Sequence, residues 1–275
     1  MINFECKPNA PLDRFVDKIW YLKADVFDSH GITFPILQHE LIFNFCGEFS
    51  LKKYRDETFV NPGCWLSGLQ THPVRSKTGG SHESLGVFFK PWGLRPFVNM
   101  PVSEFTDQQV DAVLIFGNKF RELAERVFEA RTAEAKTEMV EEFLLNRLVG
   151  RYLPDDIPGF MEFLRDCEFE KGLVRVLAER QGMSSKSLIQ KIKTTTGLPP
   201  GKFVHLIRFN KILASISSDP GRELTRTAHD DLFFDQPHFN HFFKSYAGMT
   251  PGQYRRCVRS GLVNTPFPNY LNADV

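Results

Sequence analysis

The chain has 275 residues, 42% hydrophobic and 24% charged, with a formal net charge of +1. At roughly 100 to 200 residues per domain this length predicts two domains, and the composition excludes a disordered or fibrous chain. No apolar run approaches the roughly 20 residues that span a bilayer, and the opening Met1-Ile2-Asn3-Phe4-Glu5-Cys6-Lys7 lacks a basic segment followed by an apolar one, so the expected location is the cytoplasm, with no membrane partner. Five scattered cysteines, none in a Cys-x-x-Cys pair, argue for reduced thiols rather than a disulfide framework or zinc site.

The net charge hides a division. Residues 171–259 hold 15 Lys+Arg against 6 Asp+Glu, and the rest of the chain holds 19 against 27. A basic C-terminal third on an acidic body is the charge pattern of a nucleic-acid-binding module joined to a separate domain.

In chain order, the first hundred residues read as β-rich. The apolar runs Ile36 to Phe45, Phe59-Val60 and Leu85 to Phe89 are bounded by turn signals at Cys46-Gly47, Asn61-Pro62-Gly63, Thr78-Gly79-Gly80 and Lys90-Pro91-Trp92-Gly93. Short strands with Gly and Pro between them predict a sandwich or barrel. From about Asn118 the period becomes helical: Phe120, Leu123, Ala124, Val127 and Phe128 give one amphipathic helix, and Met139, Val140, Phe143, Leu144 and Leu148 give another. Their outer faces carry Glu122, Glu125, Glu129, Glu138, Glu141 and Glu142. These helices, at about 119–149, either pack on the barrel or form a homodimer interface. Residues 1–150 are therefore expected as a sensor or effector domain, and the Pro- and Asp-rich stretch at 151–160 as a linker. Residues 161–259 are expected as a helical domain, and 260–275 as a tail.

In the C-terminal third, Leu173, Val176 and Leu177 predict a short helix that Gly182 can end, and Ser184 is a good N-cap for the next one. This is helix-turn-helix spacing. In the second helix Leu188 and Ile192 point inward, leaving Ser185, Lys186, Gln190 and Lys193 outward as base- and phosphate-reaching side chains. A second unit follows, with Leu224, Ala228 and Leu232 in a short helix and Asp235 capping one that begins Gln236-Pro237-His238-Phe239. Between them Phe203, Leu206, Ile207, Ile212, Leu213 and Ile216 fit one helix, a strut of about 26 Å at ~1.5 Å per residue between two reading heads. Successive major grooves lie about 34 Å apart.

The run Leu177-Ala178-Glu179 to Ser184, Gly197-Leu198-Pro199-Pro200 to Phe203, Arg208, Phe233-Phe234-Asp235-Gln236-Pro237-His238-Phe239 to Lys244, and Gly248-Met249-Thr250-Pro251-Gly252-Gln253-Tyr254-Arg255 resembles the AraC family of transcription regulators over about residues 172–256. The resemblance implies a bipartite DNA-binding domain with one recognition helix per unit. It places Ser185, Lys186, Ile189, Gln190 and Lys193 on the first reading surface and Gln236, His238 and His241 on the second. Leu232 stands where the family usually has Gly, Ile212 where it has Ala, and Gln190 and His241 where Arg is common. Histidine gains charge in mildly acidic solution, so binding through the second unit is expected to strengthen on acidification.

More loosely, His39 to Phe45, Gly68-Leu69-Gln70 with Pro73, and Gly86 to Gly93 look like the sensor domains of such regulators, which implies a cupin-like barrel open to a small-molecule effector. The fold class expected is thus α+β: a β-rich cupin-like barrel with two amphipathic helices, then an all-α domain with two helix-turn-helix units on a long linker helix. The partners expected are double-stranded DNA, a small-molecule effector and a second copy of the chain. No cofactor and no metal are expected, since His30, His39, His72 and His82 are separate and no His-x-His occurs. Neither Gly-x-Ser-x-Gly nor a phosphate-binding Gly-rich loop occurs, which argues against an enzyme. The rival to a DNA-binding regulator is a small-molecule-binding protein whose DNA-binding half has weakened.

Overall fold

In a computed structural model the described residues are 2–25, 29–52, 58–60, 63–148, 173–225, 233, 235–263 and 270–272. The linker expected at 151–160 lies outside them, as do Ala228 and Leu232.

Among the described residues nine strands form one antiparallel sheet: β1 (Ile2–Cys6), β2 (Val16–Ala24), β3 (Ser29–Thr33), β4 (His39–Lys52), β5 (Thr58–Val60), β6 (Cys64–Ser67), β7 (Val74–Phe89), β8 (Gln109–Asp111) and β9 (Tyr270–Asn272). The main path runs β1-β2-β7-β4-β6-β8, with β3 paired to β7 and β9, and β5 to β4. Two expected turns are corrected. Strand β7 continues through Thr78-Gly79-Gly80 and β4 continues through Cys46-Gly47. Gly80 has a φ of +76°, and the β4–β7 register shifts between Asn44 and Cys46 and again between Cys46 and Glu48. The glycines therefore mark an irregularity inside paired strands, where an extra residue is absorbed, and do not end them. Lys90 to Gly93 does turn, closed by the Gly93 amide donating to the Lys90 carbonyl at 2.7 Å.

Strand residues alternate between faces. Ile19, Tyr21, Leu41, Phe43, Leu66, Leu85, Val87 and Phe89 are buried in one core with Phe120, Leu123, Val127, Val140 and Leu144. The latter come from α2 (Asn118–Glu129) and α3 (Ala133–Leu148), which follow the short α1 (Ala112–Phe116). The two helices whose period the sequence displays thus use their apolar faces on the sheet. Lys136, which the helical pattern gives no reason to bury, is 2% exposed. Its Nζ donates to the Val127 carbonyl at 2.9 Å, lies 3.6 Å from Glu83 Oε1 and sits 3.7 Å from the Phe45 ring centroid. Bonding and an aromatic face offset its desolvation.

The opposite face carries Trp20, Glu40, Trp65 and Phe88, aligned across strands by the pairs Trp20↔Gly86, Glu40↔Phe88 and Ile42↔Trp65. Gly86 is required there, because a Cβ would overlap the Trp20 indole. Trp20 Nε1 reaches across to donate to Glu40 Oε1 at 2.9 Å. Burial pushes the Glu40 carboxyl up to about 7, against the opposing pull of Trp20 and Lys18.

The helical part comprises α4 (Leu173–Arg180), α5 (Ser185–Thr196), α6 (Pro200–Ser218), α7 (Gln236–Ala247) and α8 (Pro251–Arg259). Its core does not stop at the sheet. One buried cluster contains Ile32, Phe34, Leu69 and Leu271 together with Leu188, Phe203, Phe209, Ile212, Phe239, Phe243 and Tyr254.

Candidate nucleic-acid interface

Each half of the first unit is set by local chemistry. Gly182 takes a φ of +63° between α4 and α5, a region open to glycine at little cost. Ser184 is extended at the start of α5, and its hydroxyl accepts the Ser187 amide at 3.1 Å. Leu188 and Ile192 are buried as their spacing requires. Lys186, Ile189, Gln190 and Lys193 are exposed and Ser185 is half-buried at the first helical position. The structure thus brings the five expected positions onto one helix with four side chains in solvent. No acid occurs within Ser185–Thr196.

The far end of α5 is held by the N-terminal part. Gly197 closes the helix at a φ of +94°, and its carbonyl accepts Thr106 Oγ1 at 2.8 Å. Buried Thr196 knots the turn by donating to the Ile192 and Leu198 carbonyls at 3.0 and 3.1 Å. Fully buried His39 lies beside this turn, its Nε2 donating to the Pro91 carbonyl at 3.2 Å. Its Nδ1 has no well-formed hydrogen bond, although the Thr196 backbone is near. Burial lowers the His39 imidazole to about 4.

The strut expected between the units is α6, 19 residues, about 28 Å at ~1.5 Å per residue. All six apolar positions of the pattern are buried, Ile212 among them at 0% exposure. In the second unit Asp235 caps α7 by accepting the His238 amide at 2.7 Å, with Pro237 in the first turn. Phe239, Phe242 and Phe243 form the inner face. Gln236 is half-buried, and His238 and His241 are exposed. The His238 ring meets Phe233 edge-on with centroids 5.3 Å apart, whereas no ring contact involves His241 among the described residues.

Two residues of α6, Arg208 from the family-like run and His205, lie beside this head. Arg208 stacks its guanidinium 3.6 Å from the Phe233 centroid and 5.5 Å from that of Phe242. His205, three residues earlier on α6, contacts Phe242 edge-on at 5.7 Å. Burial, then the charges of Arg208 and His238, lower its pKa. Their spacing of three, which puts side chains on one helix face, was the available signal. Past α7, Gly248 closes the helix at a φ of +69°, and Thr250 with Gln253 forms a capping box that starts α8.

Residues 177–257 match the model of a helix-turn-helix domain, and residues 4–111 match a domain of unknown function. No curated protein matches the chain. Among solved structures, ToxT from Vibrio cholerae in a P21 crystal form is similar at 10% identity and a TM-score of 0.46, covering 86% of this chain and 98% of that one. ToxT from Vibrio cholerae O395 gives 12% identity, a TM-score of 0.43, and 86% and 97% coverage. ToxT from Vibrio cholerae strain SCE256 with a bound unsaturated fatty acid gives 12%, 0.42, and 86% and 94%. The chain therefore carries a helix-turn-helix domain at residues 177–257, behind an N-terminal sheet region that matches, over residues 4–111, a domain of unknown function.

Proposed function

We propose that this protein is a sequence-specific DNA-binding transcription regulator of AraC type, with α5 and α7 entering successive major grooves of duplex DNA and the sheet domain sensing a small molecule. The observation that carries the reading is α5: a capped helix in a helix-turn-helix domain whose solvent side presents Lys186, Gln190 and Lys193 and no acid. Lys donates to phosphate as a point charge, and the Gln amide can make a bidentate contact with adenine. In α7, Gln236 and His241 are the base-side candidates. His238, turned against Phe233, serves as a positioning group more readily than as a reader.

An effector site is supported by a cavity of about 400 Å³ lined by Asp17, Leu37, Gln38 and Lys90 from the sheet domain and by Asn210 and Leu213 from α6. An occupant there touches both halves of the chain. The exposed outer faces of α2 and α3 remain the candidate surface for a second copy, with Phe128 and Leu145 the large apolar residues on them.

Footprinting on the DNA upstream of the protein's own gene tests the reading. Two protected major grooves, about 34 Å apart along one face of the duplex, are the expected pattern. A single protected groove would restrict reading to the first unit. Absence of any sequence preference at low salt would favour a small-molecule-binding protein with a weakened DNA-binding half.

A further inference from the structure

Within the tail expected at 260–275, residues 270–272 belong to the sheet. Strand β9 pairs antiparallel with β3 through Gly31↔Asn272, Ile32↔Leu271 and Thr33↔Tyr270. On its other side Leu271 bridges to Val263, and the Asn272 amide donates to the Leu262 carbonyl at 2.8 Å. Backbone pairing is thus continuous from β7 through β3 and β9 to the residues directly behind α8. Leu271 and Val263 are buried in the shared cluster with Ile32, Phe34 and Tyr254, and the Phe34 and Tyr254 rings meet edge-on at 5.5 Å. Tyr270 lies so closely over Gly31 that a Cβ there would overlap its ring.

We propose that residues 270–272 are a strap: a strand that fastens the DNA-binding domain to the sensor sheet, so that the recognition helices leave the sheet only when β9 peels from β3. The rest of the junction is the shared apolar cluster, to which the sheet side gives Ile32, Phe34 and Leu69, together with a few separate contacts. Thr106 holds the Gly197 carbonyl, Asn210 Nδ2 donates to the Pro35 carbonyl at 3.2 Å, and a Cβ at Gly248 would stand 3.3 Å from Pro73. The turns that end α5 and α7 both belong to this set, so the strap governs the setting of both reading helices. A three-residue strand is a modest restraint, which suits a joint that must open.

The test is peptide-resolved hydrogen exchange on the full chain. Gly31→Ala pushes a methyl into the Tyr270 ring and touches neither helix-turn-helix unit. Exchange is expected to rise at least tenfold at residues 31–33 and 270–272, and also at the distant turns 195–198 and 247–250. The double variant Gly31→Ala/Tyr270→Ala removes the ring that the methyl strikes, and it restores protection at both distant turns if the strap is the cause. Loosened β3 and β9 with wild-type exchange at the distant turns would overturn the proposal, as would a double variant no better protected than Gly31→Ala. Because no DNA is present, failure here is distinct from failure of DNA reading.

Discussion

Gln190 and Lys193 lie three residues apart on the exposed side of α5, yet they are expected to fail differently when removed. Gln190→Ala should cost about 1–3 kcal/mol on the preferred site and relax preference at one base pair, since an amide reads a base edge. Lys193→Ala should weaken binding to every sequence alike and reduce the slope of log K against log salt by about one, since it releases one phosphate counterion. Gel shifts on matched and mismatched duplexes at several salt concentrations separate the two. His39 and Glu40, neighbours on β4, make the opposite pair. The His39 imidazole is lowered to about 4 in the folded chain, so its contribution to stability is complete above its unfolded pKa of about 6.5 and is lost as pH falls from there to about 4, by about 3 kcal/mol in total. The Glu40 carboxyl is raised to about 7, so its contribution is complete below the unfolded value of about 4.3 and is lost as pH rises to about 7. Between about pH 4.5 and 6.5 the two slopes oppose each other. Denaturant melts should therefore be nearly flat in wild type there, fall towards acid in Glu40→Gln, and fall towards neutral pH in His39→Gln.

At the scale of elements, the C-cap of α5 and the middle of α6 are the informative tests. Gly197→Ala combines a left-handed backbone, which costs a residue with a Cβ about 1–2 kcal/mol, with a Cβ only 2.9 Å from Thr106 Oγ1. It should lower the melting temperature and loosen the end of the first reading helix, visible as faster amide exchange there. Ile212→Ala restores the residue usual in the family that the domain resembles, but here the side chain is fully buried between the two units. The expected cost is about 2–5 kcal/mol, because the surrounding Phe and Leu side chains cannot close the cavity completely. Chemical denaturation measures it. A neutral result would mean that α6 shifts to fill the space.

For the whole molecule, the charge division is the governing quantity. The exposed Glu122, Glu125, Glu129, Glu138 and Glu142 face solvent on the sheet domain, while the cations cluster in the helical part. Reversing Glu122, Glu125 and Glu129 to Lys should strengthen binding to random duplex at 50 mM salt far more than at 200 mM, because screening shortens the reach of exposed charge to about 10 Å or less. Preference between sequences should be unchanged. A shift in preference would mean that these helices lie close to the bases.

The C-terminal domain was legible in the chain because its signals are local. Ser184, Asp235 and Thr250 cap the helices they precede, Gly197 and Gly248 end them, and the inward apolar positions of α5, α6 and α7 follow a single helical period. The same holds for α2 and α3, whose places follow from the apolar spacing. Gly47 and the pair Gly79-Gly80 misled, because a glycine that ends a strand and one that bends it look alike until the partner strand is known. Burial of Lys136 depended on Glu83 and Phe45, each far away in sequence. The strap depended on three residues too few to show a period, pairing with a strand some 240 positions earlier. The sequence by itself determined the helices, their caps and which faces look outward, since those rest on interactions within a few residues. Only the tertiary structure decided that the helical domain and the sheet share one core, since burial between distant segments leaves no periodic trace in either.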